Sequence, residues 1–325
     1  MSLLDEFKDK KIYVVSDSDL DGVGSHIISR IYIEPVASQY LFTITSKRDM
    51  SEFSMINALG SDIIIFIDIA PTNDLYIKLQ ELEKQVYIFD HHITSYNNLM
   101  CIVDENYYFT EEKCGCKIFF DELTKGYRTS KIIFQFVQLV DTYDRWQKQS
   151  LLWRDAEKLQ DIMYEYVDWY KKESNDIKYN KFINIQIEKI VKGKNFYFTQ
   201  YEEKLDKNAK EKKRKNLEVA RKNLQLRRDN SGNNYAYFEC NSKLSTIGNI
   251  ILDEYENLDY VIGHSTYEET WGDNPNGKIS LRSKGSFKVN HIAELHNGGG
   301  HPQSAGVDLP LELFQQLKKG EVHLI

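Results

Sequence analysis

Three carboxylates at alternate positions, Asp17, Asp19 and Asp21, followed at once by Gly22, Gly24 and Ser25, are the densest concentration of potential chemistry near the N-terminus. Carboxylates this close repel one another, so in a folded site they need a cation, a shared proton or open access to water. A calcium loop of the Asp-x-Asp-x-Asp-Gly type requires a bidentate Glu at its twelfth position. Counting from Asp17 that position is Ile28, and the lead-in is strand-like, so calcium is rejected. An exposed acidic turn without a ligand is the plain alternative, and the turn alone does not decide. Further acids and imidazoles do. Asp68 and Asp90-His91-His92 each close an apolar run, and Asp141 lies in Leu139-Val-Asp-Thr-Tyr-Asp144. Neighbouring histidines point in different directions and cannot both fill one core. A mixed carboxylate and imidazole set suits manganese or a similar divalent ion, whereas zinc leans on more nitrogen or sulfur. Two such ions bridged by one carboxylate can activate water and stabilise the leaving oxygen of a phosphoester. Hydrolysis of a phosphodiester is the chemistry to expect.

The elements that must position these groups follow from periodicity. Ile12–Ser16, Leu41–Thr45, Ile63–Asp68 and Val86–Asp90 read as strands, with His26–Ile33 and Asn73–Lys84 as helices between them. This alternation predicts a parallel sheet. Ile63–Asp68 and Val86–Asp90 are continuous apolar runs, as in strands buried on both faces. Ligands of open α/β sheets collect at the carboxyl ends of the strands, so three strands bring Asp to one edge.

From about Cys114 to Asn195 the spacing turns helical, including an aromatic-rich stretch, Leu151–Lys172, whose rings are read as core and interface. Lys204–Arg228 carries eleven basic residues against three acids, a local charge of +8. Such a run is either a solvated helix face or a basic wall that would favour a polyanionic substrate. After a turn at Asn230, Tyr235–Cys240, Tyr260–His264 and Lys278–Arg282 read as strands and Ile247–Tyr255 as a helix, with a loop at Trp271–Gly277 and Gly298-Gly-Gly-His301-Pro beyond a short helical stretch from Asn290. The expected class is α/β: a parallel-sheet catalytic domain over residues 1–195, a basic helical connector over 196–229 and a smaller α/β domain over 230–325.

The remaining bounds are broad. At 325 residues, 41% hydrophobic and 28% charged, the chain has the composition of a globular protein of two domains. No run is long enough for a membrane span and the N-terminus has no signal-peptide pattern, so a cytoplasmic location is expected. Cys101, Cys114, Cys116 and Cys240 form no C-x-x-C pair and are read as reduced, mostly buried thiols. The net charge of −7 argues against wholesale adhesion to nucleic acid.

Taken together, Asp17-Ser-Asp-Leu-Asp-Gly-Val-Gly-Ser25, Asp68, Asp90-His91-His92, Asp141, Ser280-Leu-Arg-Ser283 and Gly298-Gly-Gly-His301 resemble the landmarks of the DHH phosphoesterases, in that family's order and across nearly the whole chain. The resemblance implies a DHH domain, a connecting helix and a DHH-associated substrate-binding domain. It implies two manganese ions, or magnesium in their place, on Asp17, Asp19, Asp21, Asp68, His91 and Asp141, with Asp68 as the bridge. Asp68, Asp90 and His92 are the catalytic candidates, the last two in supporting or phosphate-contacting roles. Arg282, Ser283, Gly298, Gly299, Gly300 and His301 are the substrate-binding ones.

The nano-RNase and cyclic-dinucleotide branches usually carry a His and a Pro where this chain has Val15 and Ser18. The extra acid Asp17 is more like the RecJ exonucleases, yet the chain lacks the length of full RecJ proteins. The expected function is therefore hydrolysis of short or single-stranded oligonucleotides to mononucleotides. The alternatives are a RecJ-like exonuclease on long single-stranded DNA, a cyclic-dinucleotide phosphodiesterase, a small-phosphoester phosphatase, or an inactive relative that only binds nucleic acid or a protein. A homo-oligomer is compatible with all of them. His26, His264, His291 and His296 read as ordinary core or surface histidines, and Asp144 as a surface acid.

Overall fold

Runs such as Ile12-Tyr-Val-Val and Ile63-Ile-Ile-Phe-Ile favour extended backbone and offer no polar face, so they form strands only where both sides are covered. The computed structural model describes residues 2–45, 50, 52–103, 105–167, 174–265 and 277–325. In it these runs are β1 (Lys11–Ser16) and β3 (Ile63–Ile67), flanked by β2 (Gln39–Ile44), β4 (Gln85–Asp90) and β5 (Tyr107–Phe109). The sheet is parallel throughout, in the order β2-β1-β3-β4-β5. That order places the topological switch point between β1 and β3, where such sheets bind ligands. Asp17 follows β1 and Asp68 follows β3 directly. β5 has only three residues and left no periodic signal.

Helices cover both faces. After α1 (Leu3–Phe7), α2 (Leu20–Tyr32) begins six residues before the expected His26. The reason is local: the Asp19 side chain accepts the N–H groups of Asp21 and Gly22 at 3.0 and 3.1 Å and so caps the helix inside the acidic turn. Gly22 is needed there, because a Cβ would lie 2.1 Å from the Asp17 carbonyl oxygen. The remaining helices of this unit are α3 (Met55–Gly60), α4 (Asn73–Glu81), α5 (Ile93–Leu99), α6 (Gly115–Leu123), α7 (Lys131–Asp144), α8 (Trp153–Tyr166) and α9 (Asn175–Lys192). Side chains of α2, α6, α7, α8 and α9 build the larger core on one sheet face, and α3, α4 and α5 the smaller core on the other. Met163 and Tyr166 are buried in the larger core and Tyr164 packs against it, in keeping with the core reading of that stretch. Residues 168–172 of the expected helix and 271–276 of the expected loop lie outside the described residues.

The chain divides into two units, Met1–Ala209 and Lys210–Ile325, and α10 (Gln200–Lys222) crosses the division. The start of α10 is held in the first unit by a buried ion pair, Lys189 Nζ to Glu202 Oε1 at 2.9 Å. Along α10 Arg214 pairs with Glu211 and Glu218, and Arg221 with Glu254, so part of the basic run is a solvated, paired face. The second unit is a mixed sheet in the order β10-β11-β9-β8-β7-β6, made of β6 (Gln225–Arg228), β7 (Asn234–Cys240), β8 (Tyr260–Ser265), β9 (Gly277–Ser283), β10 (Gly299–His301) and β11 (Ser304–Leu309). It is completed by α11 (Leu244–Glu254), α12 (Val289–Leu295) and α13 (Leu311–Lys319). Among the described residues no helix is long and apolar enough to cross a membrane. The four cysteines are free, and all but Cys101 are buried.

Candidate active site

The acids converge because each is carried by the carboxyl end of a buried strand or by a helix that caps that edge. Asp68 sits one residue beyond β3, fully buried, with φ of 59°. Its N–H donates to the Phe89 carbonyl at 2.8 Å, which extends the β3–β4 pairing and aims the residue. Left-handed backbone is uncommon outside glycine, though aspartate is among the residues that tolerate it. Gly115, the first residue of α6, permits this arrangement: a Cβ there would lie 2.8 Å from the Cα and Cβ of Asp68.

Asp21 is 1% exposed and receives two helix-terminal amides, Gly115 N–H to Oδ2 and Cys116 N–H to Oδ1, both at 2.7 Å. Burial raises its carboxyl above the usual range, while the His91 ring pulls it back down. His91 Nε2 stands among three carboxylates, 3.7 Å from Asp21, 3.3 Å from Asp68 and 3.4 Å from Asp144. Next to it the Asp90 carboxylate accepts from the N–H groups of His91 and His92 at 2.8 and 3.3 Å and lies 2.6 Å from His92 Nδ1. That short contact places the His92 proton on Nδ1. Asp17 Oδ1 accepts the Ser18 N–H at 2.7 Å.

Among the described residues of the first unit, ligand atoms of three residue groups lie within 4.8 Å of one another: Asp21, His91 and Asp144; Asp68, Asp90 and His92; and Asp17, Asp19 and Asp68. Asp68 belongs to two of them. The donor set is carboxylate oxygen with imidazole nitrogen and no thiolate, which fits hard divalent ions of the manganese and magnesium type.

One reading of the sequence is corrected. Asp144 is no surface acid: its side chain is 16% exposed and faces His91. Asp141, expected as the ligand, falls in none of the three groups. Its Oδ1 accepts the Cys114 N–H at 2.9 Å and its Oδ2 is 3.9 Å from Arg145, which ties it to the start of α6. Both residues lie within one turn of α7, and a spacing of three leaves them on one face, which sequence alone could not resolve. Tyr179 was also missed. From α9 its hydroxyl donates to the Ser18 carbonyl at 2.6 Å, fixing the acidic turn from outside the sheet, and no motif marks it.

In the second unit Arg282 lies on β9, half-buried, with Nη1 donating to the Leu281 and Ala305 carbonyls at 2.7 and 3.3 Å and Nη2 to Ser245. The Ser283 hydroxyl donates to the Phe287 carbonyl at 2.7 Å and so secures the end of β9. Within the Gly298–His301 segment, Gly299–His301 form the edge strand β10 against β11. Gly300 has φ of 143°, and Gly298 could not carry a Cβ, which would meet the Gly306 carbonyl at 2.4 Å. Gly299 and His301 are half-buried on the same strand. His26 is a buried core histidine against Phe42, and its ring is driven down to about 3 by burial. His264 is buried against Phe314, and His296 Nε2 lies 3.2 Å from the Leu324 carbonyl.

Known proteins share this fold. Residues 11–159 match the model of the DHH family, N-terminal domain, and residues 234–320 that of the DHHA1 domain. The chain is 21% identical to the oligoribonuclease NrnB of Bacillus subtilis, over 93% of this chain and 74% of that protein. Among solved structures, the exonuclease RecJ bound to manganese superposes with a TM-score of 0.60 at 15% identity, covering 98% of this chain and 91% of that one. The pGpG-specific phosphodiesterase PggH of Vibrio cholerae gives 0.55 at 13% identity, covering 96% and 97%. The chain therefore belongs to the DHH family of phosphoesterases, hydrolases of phosphoester bonds, with a DHH domain followed by a DHHA1 domain.

Proposed function

We propose that the chain is a divalent-metal-dependent phosphodiesterase that removes mononucleotides from short or single-stranded oligonucleotides. The observation that carries this reading is the set of carboxylates gathered around His91 Nε2, among them Asp68 at 3.3 Å, which also groups with Asp17 and Asp19. Asp17, Asp19 and Asp68 would hold one ion, and Asp21, His91 and Asp144 the other, with Asp68 between them. When bound, such ions supply Lewis acidity and a nucleophile derived from water at neutral pH. Manganese fits the donor set and is the metal named for the RecJ neighbour.

The protein's own residues do the rest. The α6 amides on Asp21 and the Asp19 cap on α2 fix ligand oxygens before any ion arrives, so little reorganisation is left for binding. The Asp90 carboxylate fixes the His92 ring and would stabilise its protonated form, whose Nε2–H would then donate to the departing oxygen. In the second unit, Arg282, His301 and the backbone of Gly298–Gly300 are the groups offered to phosphate or base, since a glycine edge admits close approach. Ser283 is committed to its turn, and Asp141 supports the amides that hold Asp21.

The test is a panel with manganese: a dinucleotide, a five-residue RNA, a long single-stranded DNA labelled at either end, and a cyclic dinucleotide. Turnover of the dinucleotide and short RNA is expected. Degradation of the long DNA alone would favour the RecJ-like alternative, and no turnover of any member would refute the proposal. A second reading, a dinucleotide-specific enzyme, is favoured by the resemblance to PggH over nearly the full length of both chains, and cleavage of the dinucleotide alone would select it.

A further inference from the structure

Helix α7 ends on Asp144, the carboxylate 3.4 Å from His91 Nε2, and it ends in an uncommon way. The Trp146 N–H donates to the Tyr143 carbonyl and the Gln147 N–H to the Thr142 carbonyl, each at 3.0 Å. These are the two bonds of a Schellman cap, which requires a left-handed residue at the first of those positions. Trp146 takes that conformation, with φ of 54°. Glycine is the usual occupant and asparagine the next, because a Cβ is disfavoured there. A bulky residue in this region is a genuine outlier. Strain of this kind persists where the surroundings over-determine it, and it gathers at functional sites.

The surroundings are aromatic and cationic. The Trp146 ring lies 4.9 Å from that of Trp153 and 5.8 Å from that of Tyr143, with edge-on geometry to both. Tyr143 and Trp153 stack on each other at 5.8 Å and 12°. The Lys148 ammonium stands 5.2 Å from the Trp146 ring centroid. Trp146 is only half-buried, and Arg145 and Lys148 on either side are exposed. Lys148 thus stands over a partly open indole just beyond Asp144, and Arg145, 3.9 Å from Asp141, precedes that indole in the chain; a cation with an exposed ring is a combination by which proteins take up single-stranded nucleotides. The acids themselves offer a base nothing to stack on. The cap would be better served by glycine, so what tryptophan adds is its ring.

We propose that Trp146 is a stacking plate for a nucleobase of the substrate, with Arg145 and Lys148 attracting the adjoining phosphates. This deepens the phosphodiesterase reading, on which it rests, by naming a nucleotide with its base as the group recognised beside Asp144.

The test is equilibrium binding, read by calorimetry on the full chain with manganese, of adenosine 5′-monophosphate and of ribose 5-phosphate, which lacks the base. Trp146→Asn removes the ring with a residue that tolerates the left-handed backbone. Trp146→Gly repeats the deletion should that variant not fold, and Trp146→Phe retains a ring. The wild-type protein is expected to prefer the nucleotide by roughly 10- to 100-fold, the range of one stacked base. Trp146→Asn should bring that preference close to unity, and Trp146→Phe should keep most of it. An undiminished preference in Trp146→Asn overturns the proposal. So does an equal weakening of both ligands together with lost manganese affinity, which would mean that Trp146 only positions Asp144. A protein that binds with the expected preferences but cleaves no member of the oligonucleotide panel would sink the phosphodiesterase reading and leave the stacking plate standing.

Discussion

Gly115→Ala is the sharpest probe of how the ligand edge is held, because it adds one methyl group and removes no chemistry. The new Cβ would lie 2.8 Å from both the Cα and Cβ of Asp68 and 2.9 Å from its nitrogen, where ordinary contact begins at 3.4 Å. Relief therefore requires Asp68 or the start of α6 to move by about 0.6 Å, beyond the roughly 0.5 Å within which a functional constellation must be held. Neither side can yield freely. Asp68 is tied to Phe89 through its N–H, and the start of α6 donates to both oxygens of Asp21. Overpacking of this kind costs about 1–3 kcal/mol. The displacement also separates Asp68 from Asp21, so manganese affinity should fall by at least about tenfold, as when supporting contacts of a metal site are lost. Urea unfolding of the metal-free protein reads the first effect and calorimetric titration with manganese the second. A variant with wild-type values in both would refute the claim that this glycine sets the ligand spacing.

Further outcomes follow from other groups. Asp144→Asn should weaken manganese binding by more than about 10-fold, and Asp141→Asn by less, because asparagine can still accept the Cys114 N–H; titration giving the opposite order would restore Asp141 as the ligand. Lys189→Met leaves the Glu202 carboxylate buried without its cation and should cost about 3–5 kcal/mol in urea unfolding, whereas Lys189→Met with Glu202→Gln should recover much of that; a single variant as stable as the double one would contradict the buried pair. Burial lifts the Asp176 carboxyl from 3.8 to about 6. The folded chain thus holds a proton there that the unfolded chain has already released, and this group's contribution is lost as the pH rises through 6. Asp176→Asn should therefore gain stability relative to wild type at pH 7 compared with pH 4.5, and a pH-independent difference in urea midpoint would argue against the raised pKa.

The fold was legible where the chain is most regular. Ile63–Ile67 and Val86–Asp90 are too apolar to be anything but strands covered on both faces, and acids at their ends predicted a ligand edge. What stayed hidden was set by contacts, some near and some distant in sequence, that periodicity does not reveal. The start of α2 is hard to read because its opening residues include Asp21, Gly22 and Gly24, poor helix formers whose helical state depends on the Asp19 cap and on close packing. Asp141 and Asp144 share a helix face, and only the positions of His91 and Cys114 decide which carboxylate meets the site. Tyr179 reaches Ser18 from 161 residues away. The glycine triplet reads as a loop because glycine carries no strand preference, yet the pairing with Ser304–Leu309 makes part of it an edge strand.

If this edge binds divalent ions through a shared Asp68, loss of that carboxylate must lower the number of ions held. Electron paramagnetic resonance can count the manganese ions bound per chain in metal-stripped protein, for the wild type and for Asp68→Ala, with folding checked by circular dichroism. Two ions in the wild type, and fewer than two in a folded Asp68→Ala chain that no longer cleaves the dinucleotide, are predicted. Equal occupancy and equal turnover in the two proteins would contradict the account.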